Sequence, residues 1–205
     1  GTAGFADGSG DVAQFNQPSG VAVDASGNVF VADAWNHRIR KIDDSGTVTT
    51  FAGSGSRDSV DGHQTSAAFD APFDVALDSS GNLFVADRFN NQIRRITPDG
   101  TVSTLAGSGS SGSADGAADV ATFDAPAGIA VDGSGNVYVS GGRKVDPAGN
   151  VTTFTRILPE GLAVDASGTL YLSEYGNKVH QIDSSGNLTT LAGTGSAGSH
   201  NDWGG

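Results

Sequence analysis

The residues best placed to do chemistry in this chain lie in short polar stretches: Trp35-Asn36-His37, Arg88-Phe89-Asn90, and Tyr175 with Lys178. Trp35 and Phe89 stand 54 positions apart, which puts them in one column of a repeat. Aromatic faces beside a guanidinium, an ammonium or an imidazole supply apolar area, stacking and hydrogen bonds, the means to hold a peptide or glycan. The same rings could instead pack between neighbouring elements, so both uses stay open at this point. Asp33 and Asp87, beside Asn36, Arg38 and Asn90, suit a structural corner in which a carboxylate takes a backbone N–H or an arginine. A catalytic carboxylate would need a perturbed environment and a reacting partner.

Metal and nucleophile chemistry find less support. His37, His63, His180 and His200 are 26, 117 and 20 residues apart and form no ligand motif. Asp7, Asp61, Asp115 and Asp202 recur in phase, and oxygen ligands of this kind suit Ca²⁺. The D-G-S-G-D run at 7–11 nevertheless lacks a full EF-hand loop and its closing glutamate. No G-x-S-x-G elbow occurs, and the G-x-G strings follow strands without opening helices. The sequence thus assigns no catalytic residue, no metal ligand and no cofactor, with calcium the one ion its acids leave open.

The elements that must position these residues are written four times. PSGVAVDASGNVFVAD from Pro18 aligns with segments starting at Pro72, Pro126 and Pro159, at spacings of 54, 54 and 33. Each unit holds four short runs rich in Val, Ile, Leu, Phe and Thr, broken by Asp, Ser, Gly and Asn, a strand-and-turn pattern. In the first unit the runs predict strands near 20–24, 28–33, 37–43 and 47–52, close enough to be hairpins. In D-x-S-G-N, Asp24, Asp78, Asp132 and Asp165 can accept hydrogen bonds from backbone two residues on, while Gly27 and its equivalents can take positive φ. Such units cannot bury both faces alone and stack radially, as in a β-propeller. A parallel β-helix is the weaker alternative, since its coils need no antiparallel hairpins.

With 11 basic and 23 acidic side chains the formal net charge is −12, and only two of the acids are Glu. Aspartate in such excess is what turns select. The balance excludes a general nucleic-acid binder, which needs clustered Lys and Arg, and disfavours an anionic membrane surface. No apolar run spans a bilayer, and the absence of cysteine removes disulfides and thiol chemistry.

The columns P-x-G-V-A-V-D-x-S-G-N-V-F-V-A-D followed by N-x-R-I-x-K-I resemble the NHL repeat, a blade of β-propellers. GSGSRDSVDGHQTSAAFDAP, echoed by GSGSSGSADGAADVATFDAP and GTAGFADGSGDVAQFNQP, is similar to the long linker of bacterial NHL arrays. The resemblance implies an all-β propeller of four-stranded antiparallel blades. It places the strand after each Pro at the axis and the strand ending T-T-F-A-G or T-T-L-A-G outermost, with the corner residues together on one face.

On this basis residues 1–205 are expected to form one domain, with repeats near 16–69, 70–123, 124–156 and 157–205 after a linker-like lead-in. A closed or nearly closed ring of four blades is favoured over part of a larger ring or a homodimer that completes one. Later units depart from the pattern. Asp74 replaces the Gly of P-x-G, Ser140-Gly141-Gly142 replaces the third corner, and the linker before Pro159 is shortened.

The expected function is a non-catalytic scaffold, extracellular or periplasmic, that presents Trp35, Asn36, His37, Arg88, Phe89, Asn90, Tyr175 and Lys178 to a protein, peptide or glycan. A propeller lyase or hydrolase with an axial site, or a self-assembling structural fragment, is the alternative. The first strands GVAVD, DVALD, GIAVD and GLAVD offer no His or Lys for an axial site.

Overall fold

The structure is a computed structural model that describes residues 2–196. Four antiparallel sheets follow one another along the chain, each built by consecutive hairpins. Blade 1 is β1 (Pro18–Val23), β2 (Val29–Asp33), β3 (Arg38–Ile42) and β4 (Val48–Ala52). A two-residue strand β5 (Gly62–His63) precedes blade 2, which is β6 (Pro72–Leu77), β7 (Leu83–Asp87), β8 (Gln92–Ile96) and β9 (Thr101–Ala106). Blade 3 has three-residue strands, β10 (Ile129–Val131), β11 (Val137–Val139), β12 (Arg143–Val145) and β13 (Val151–Thr153). Blade 4 is β14 (Pro159–Val164), β15 (Leu170–Glu174), β16 (Lys178–Ile182) and β17 (Leu188–Ala192). No helix among the described residues is long and apolar enough to cross a membrane.

The turns work as their composition suggests. Asp24 accepts the Ser26 and Asn28 N–H groups at 2.9 Å each, and Gly27 closes the hairpin at φ 84°. Asp78, Asp132 and Asp165 repeat the arrangement between first and second strands, and Asp43, Asp146 and Asp183 repeat it between third and fourth strands. The Asn28 side chain and backbone N–H groups hold the Asp24 carboxyl below its ordinary value. Hairpin alternation gathers these acids at one end of the blades and the corners between second and third strands at the other.

The core lies between blades. Phe30 of blade 1 packs with Val75 and Leu83 of blade 2, Phe84 with Ile129 and Val137 of blade 3, and Tyr138 with Leu170 and Leu172 of blade 4. Long linkers add a plug and a clamp. Residues 53–71 and 107–125 return through buried Phe69 and Phe123 at the joints between blades. Before that each linker runs beside the outer strand of the blade it leads into, β5 along β9 and Gly116 against Val151. The lead-in does the same in blade 1, Gly8 against Val48.

Ring closure departs from the sequence expectation. The inner strands touch in series, β1 to β6, β6 to β10 and β10 to β14, and β14 makes no comparable contact with β1. Val21 on β1 is 63% exposed, whereas Val75, its equivalent on β6, is 4% exposed under blade 1. The four blades therefore form an open arc in which β14 does not meet β1 as neighbouring inner strands meet, where a closed or nearly closed ring was favoured. Blade 4, approached through residues 155–158 alone, has no linker strand along β17 among the described residues, and all five residues of β17 are exposed.

Candidate functional site

The corners between second and third strands begin with three-residue 3₁₀ turns at Ala34–Asn36 and Arg88–Asn90, closed by His37 and Asn91 at φ 54° and 52°. In blade 4 the residue in that left-handed position is Asn177, at φ 55°. The corner is one residue shorter, so Asn177 is the counterpart of His37 and Asn91 and not of Asn36 and Asn90. Histidine and asparagine both suit the place because their side chains can cap the next linker: Asn91 Oδ1 accepts the Ala125 N–H at 3.0 Å, as His37 Nδ1 accepts that of Ala71.

The expected rim residues separate into four groups. Asn36 and Asn90 face inward: their amides donate to Asp33 and Asp87 at 2.8 Å and to the Gly4 and Asp58 carbonyls. His37 is buried, with Nδ1 3.3 Å from Asp70 and Nε2 3.2 Å from Arg57 Nε. Burial lowers the pKa of its imidazole, Asp70 opposes that shift, and Arg57 and Arg38 add to it. Lys178 starts β16 opposite Glu174, outside the lining of the grooves.

Trp35, Arg88, Phe89 and Tyr175 do converge. Trp35 and Phe89 pack edge to face, centroids 6.4 Å apart, and both stay exposed. Packing against each other and facing solvent turn out to be compatible. They line a cleft of about 290 Å³ with Ala71, Phe73 and Arg88. Phe73 and Arg88 also belong to a wider groove of about 710 Å³ that runs past Arg143 and Leu158 to Tyr175, which is 83% exposed.

Phe73, on the innermost strand β6, joins the two depressions, and the Arg88 guanidinium lies over its ring at 4.5 Å. The sequence reading of an inert axis missed it. The signal was the x of P-x-G, where Ser19, Phe73, Ala127 and Glu160 differ most between repeats. Next to it, Asp74 accepts the Val75 and Ile129 N–H groups at 2.9 and 3.0 Å and ties β6 to β10; burial raises the pKa of its carboxyl. A Cβ on Gly20 would stand 2.5 Å from the Asp74 Cα, so this acid fits because its neighbour is glycine.

The remaining candidate acids are structural. Asp33 accepts the Asn16 N–H and pairs with Arg40 at 2.8 Å, not with Arg38; Asp87 accepts the Asp70 N–H and pairs with Arg94 at 2.9 Å. Burial pushes the Asp87 carboxyl up to about 6, against the pull of Asn90 and Arg94. Asp7, Asp61 and Asp115 pair with Arg40, Arg94 and Arg143 at 2.5, 2.7 and 2.7 Å. Those guanidiniums also donate to linker carbonyls and face Phe15, Phe69 and Phe123. Among the described residues no three His, Asp or Glu are grouped to hold a metal. His200 and Asp202 lie outside the described residues.

A family model for the NHL repeat matches residues 15–42. Residues 15–42 therefore carry an NHL repeat. NHL repeat-containing protein 2 of Bos taurus is 36% identical over 95 residues, 44% of this chain. The chain spans only 9–13% of the length of the curated relatives it matches. Among solved structures, virginiamycin B lyase from Staphylococcus aureus superposes on 84% of this chain and 54% of its own at TM-score 0.60 and 18% identity. A chain of a nidogen/laminin complex covers 86% of this chain and 65% of its own at TM-score 0.65 and 21% identity. At these identities the likenesses show the propeller fold alone.

Proposed function

We propose that this chain is a non-catalytic binding module whose ligand is an extended segment of a protein or peptide. The segment lies in the groove from Trp35 and Phe89 across Phe73 to Tyr175 and places a carboxylate on Arg88. The observation that carries the reading is the state of Arg88. Ion pairs of the described residues engage Arg40, Arg94 and Arg143 but not Arg88, whose buried Nε, like theirs, has no partner among them. A guanidinium stacked on an aromatic ring with free N–H groups is suited to a carboxylate.

The overall charge of −12 does not oppose this, since the turn aspartates sit at the other end of the blades and surface charges are screened over about 8–10 Å. An axial general acid or base finds little support, because the Asp74 carboxylate oxygens are already taken by backbone N–H groups. Both solved likenesses are compatible with binding, one to a lyase and the other to a chain of a nidogen/laminin complex.

Selection from a random peptide library should enrich segments with an acidic residue flanked by apolar ones. Arg88→Gln should then weaken the selected peptides by at least about tenfold, as should Phe73→Ala. No enrichment, or affinity indifferent to both changes, contradicts the reading.

A further inference from the structure

The outer edge of blade 4, away from the groove, carries a second site. Its strands repeat the register of the other blades. Leu188 pairs with Ile182 as Val48 pairs with Ile42, Val102 with Ile96 and Val151 with Val145. Thr190 pairs with His180 as Thr50, Thr104 and Thr153 pair with Arg40, Arg94 and Arg143.

In the three earlier blades this edge is occupied, each time by an Asp-Gly step. Gly8 exchanges backbone hydrogen bonds with Val48 at 2.9 and 2.8 Å, and Gly116 with Val151 at 3.0 and 2.8 Å. Both glycines take positive φ, 138° and 147°, which disfavours other residues. The aspartate before each glycine reaches the threonine and the arginine: Asp115 accepts the Thr153 N–H at 3.0 Å, its hydroxyl at 3.1 Å, and Arg143. Asp7 does the same with Thr50 and Arg40, and Asp61 takes the Thr104 hydroxyl and Arg94.

Blade 4 keeps the socket, and among the described residues no segment fills it. Buried His180 stands in the arginine column, Nε2 3.1 Å from Glu174, and the Thr190 hydroxyl lies 3.2 Å from its Nδ1. β17 is a bare edge, Leu-Thr-Thr-Leu-Ala, with Leu188 and Leu191 about half exposed and no charge or proline to block pairing.

We propose that this edge binds, in trans, an extended peptide segment containing Asp-Gly. The glycine pairs with the Leu188 backbone, and the aspartate meets the Thr190 N–H and hydroxyl and the His180 ring. This is strand addition, with specificity from one carboxylate pocket. The ligand chemistry is read from the three occupied copies, and the inference stands independently of the groove.

A fluorescein-labelled peptide of residues 57–69, titrated into the intact chain, tests it by anisotropy, with amide shifts mapping the contact. Saturable binding with shifts along Leu188–Ala192 is expected. Asp61→Asn in the peptide should weaken it by about tenfold, and Thr190→Asp in the protein, which sets a like charge in the socket, by at least as much. If Thr190→Asp disturbs the blade, the peptide change alone reads the same contact on the unaltered chain. Absence of binding, shifts on β4 or β9 instead of β17, or affinity indifferent to the peptide aspartate overturns the proposal.

Discussion

Blade 2 and blade 4 share strand lengths close to five residues, the same hairpin turns and the same register, yet their surroundings differ. In blade 2 the Arg94 side chain is 0% exposed, held by Asp87 from its own corner and by Asp61 from the preceding linker. Ile93 and Ala106 are buried under Ala121 and Phe123 of the following linker. In blade 4, His180 replaces the arginine, Val179 is 40% exposed where Ile93 is sealed, and Ala192 is exposed where Ala106 is buried. A blade of this protein thus owes its sealed interior to the linkers that flank it as much as to its four strands.

The largest effect should come from breaking the clamp in blade 2. Arg94→Met leaves Asp87 buried without its counter-charge and should cost about 3–5 kcal/mol in denaturant unfolding. His180→Leu in blade 4, where no linker acid is held, should cost only about 1 kcal/mol. Equal losses would remove the distinction between the two blades.

Much of this architecture was legible in the sequence because it is local. The four strands of blade 1 lie within two residues of where alternation puts them, and the Asp24 type of turn follows from hydrogen bonds that reach two to four residues along the chain. What escaped is long-range. Arg40 and Asp7 are 33 positions apart, so nothing in the Asp7 column shows that a guanidinium is its partner. Phe73 reads as one more apolar residue until the blades stack and put Arg88 over it. The inward turn of His37 depends on Ala71 and Asp70, both contributed by the next linker. The open arc depends on how far each blade rotates against its neighbour, which no residue column encodes.

A smaller effect sharpens the comparison at the joint between blades 1 and 2. His37→Asn installs the residue that does the same work at Asn91. The folded imidazole titrates below its ordinary 6.5, so its support is complete above that pH and is lost as pH falls through the folded value. The variant should match the parent near about pH 8 and melt higher than the parent near about pH 5. Superimposable pH profiles would show that His37 does not titrate with folding.

The central claim is that linkers clothe blades 1 to 3 and that, among the described residues, none covers the outer edge of blade 4. Native-state amide hydrogen exchange reads this directly. The Val48 and Val151 N–H groups, bonded to Gly8 and Gly116 at 2.8 Å, should exchange at least about a hundredfold more slowly than the Leu188 N–H. Protection of Leu188 equal to that of Val48 and Val151 would mean that its edge is already occupied, and would contradict the account.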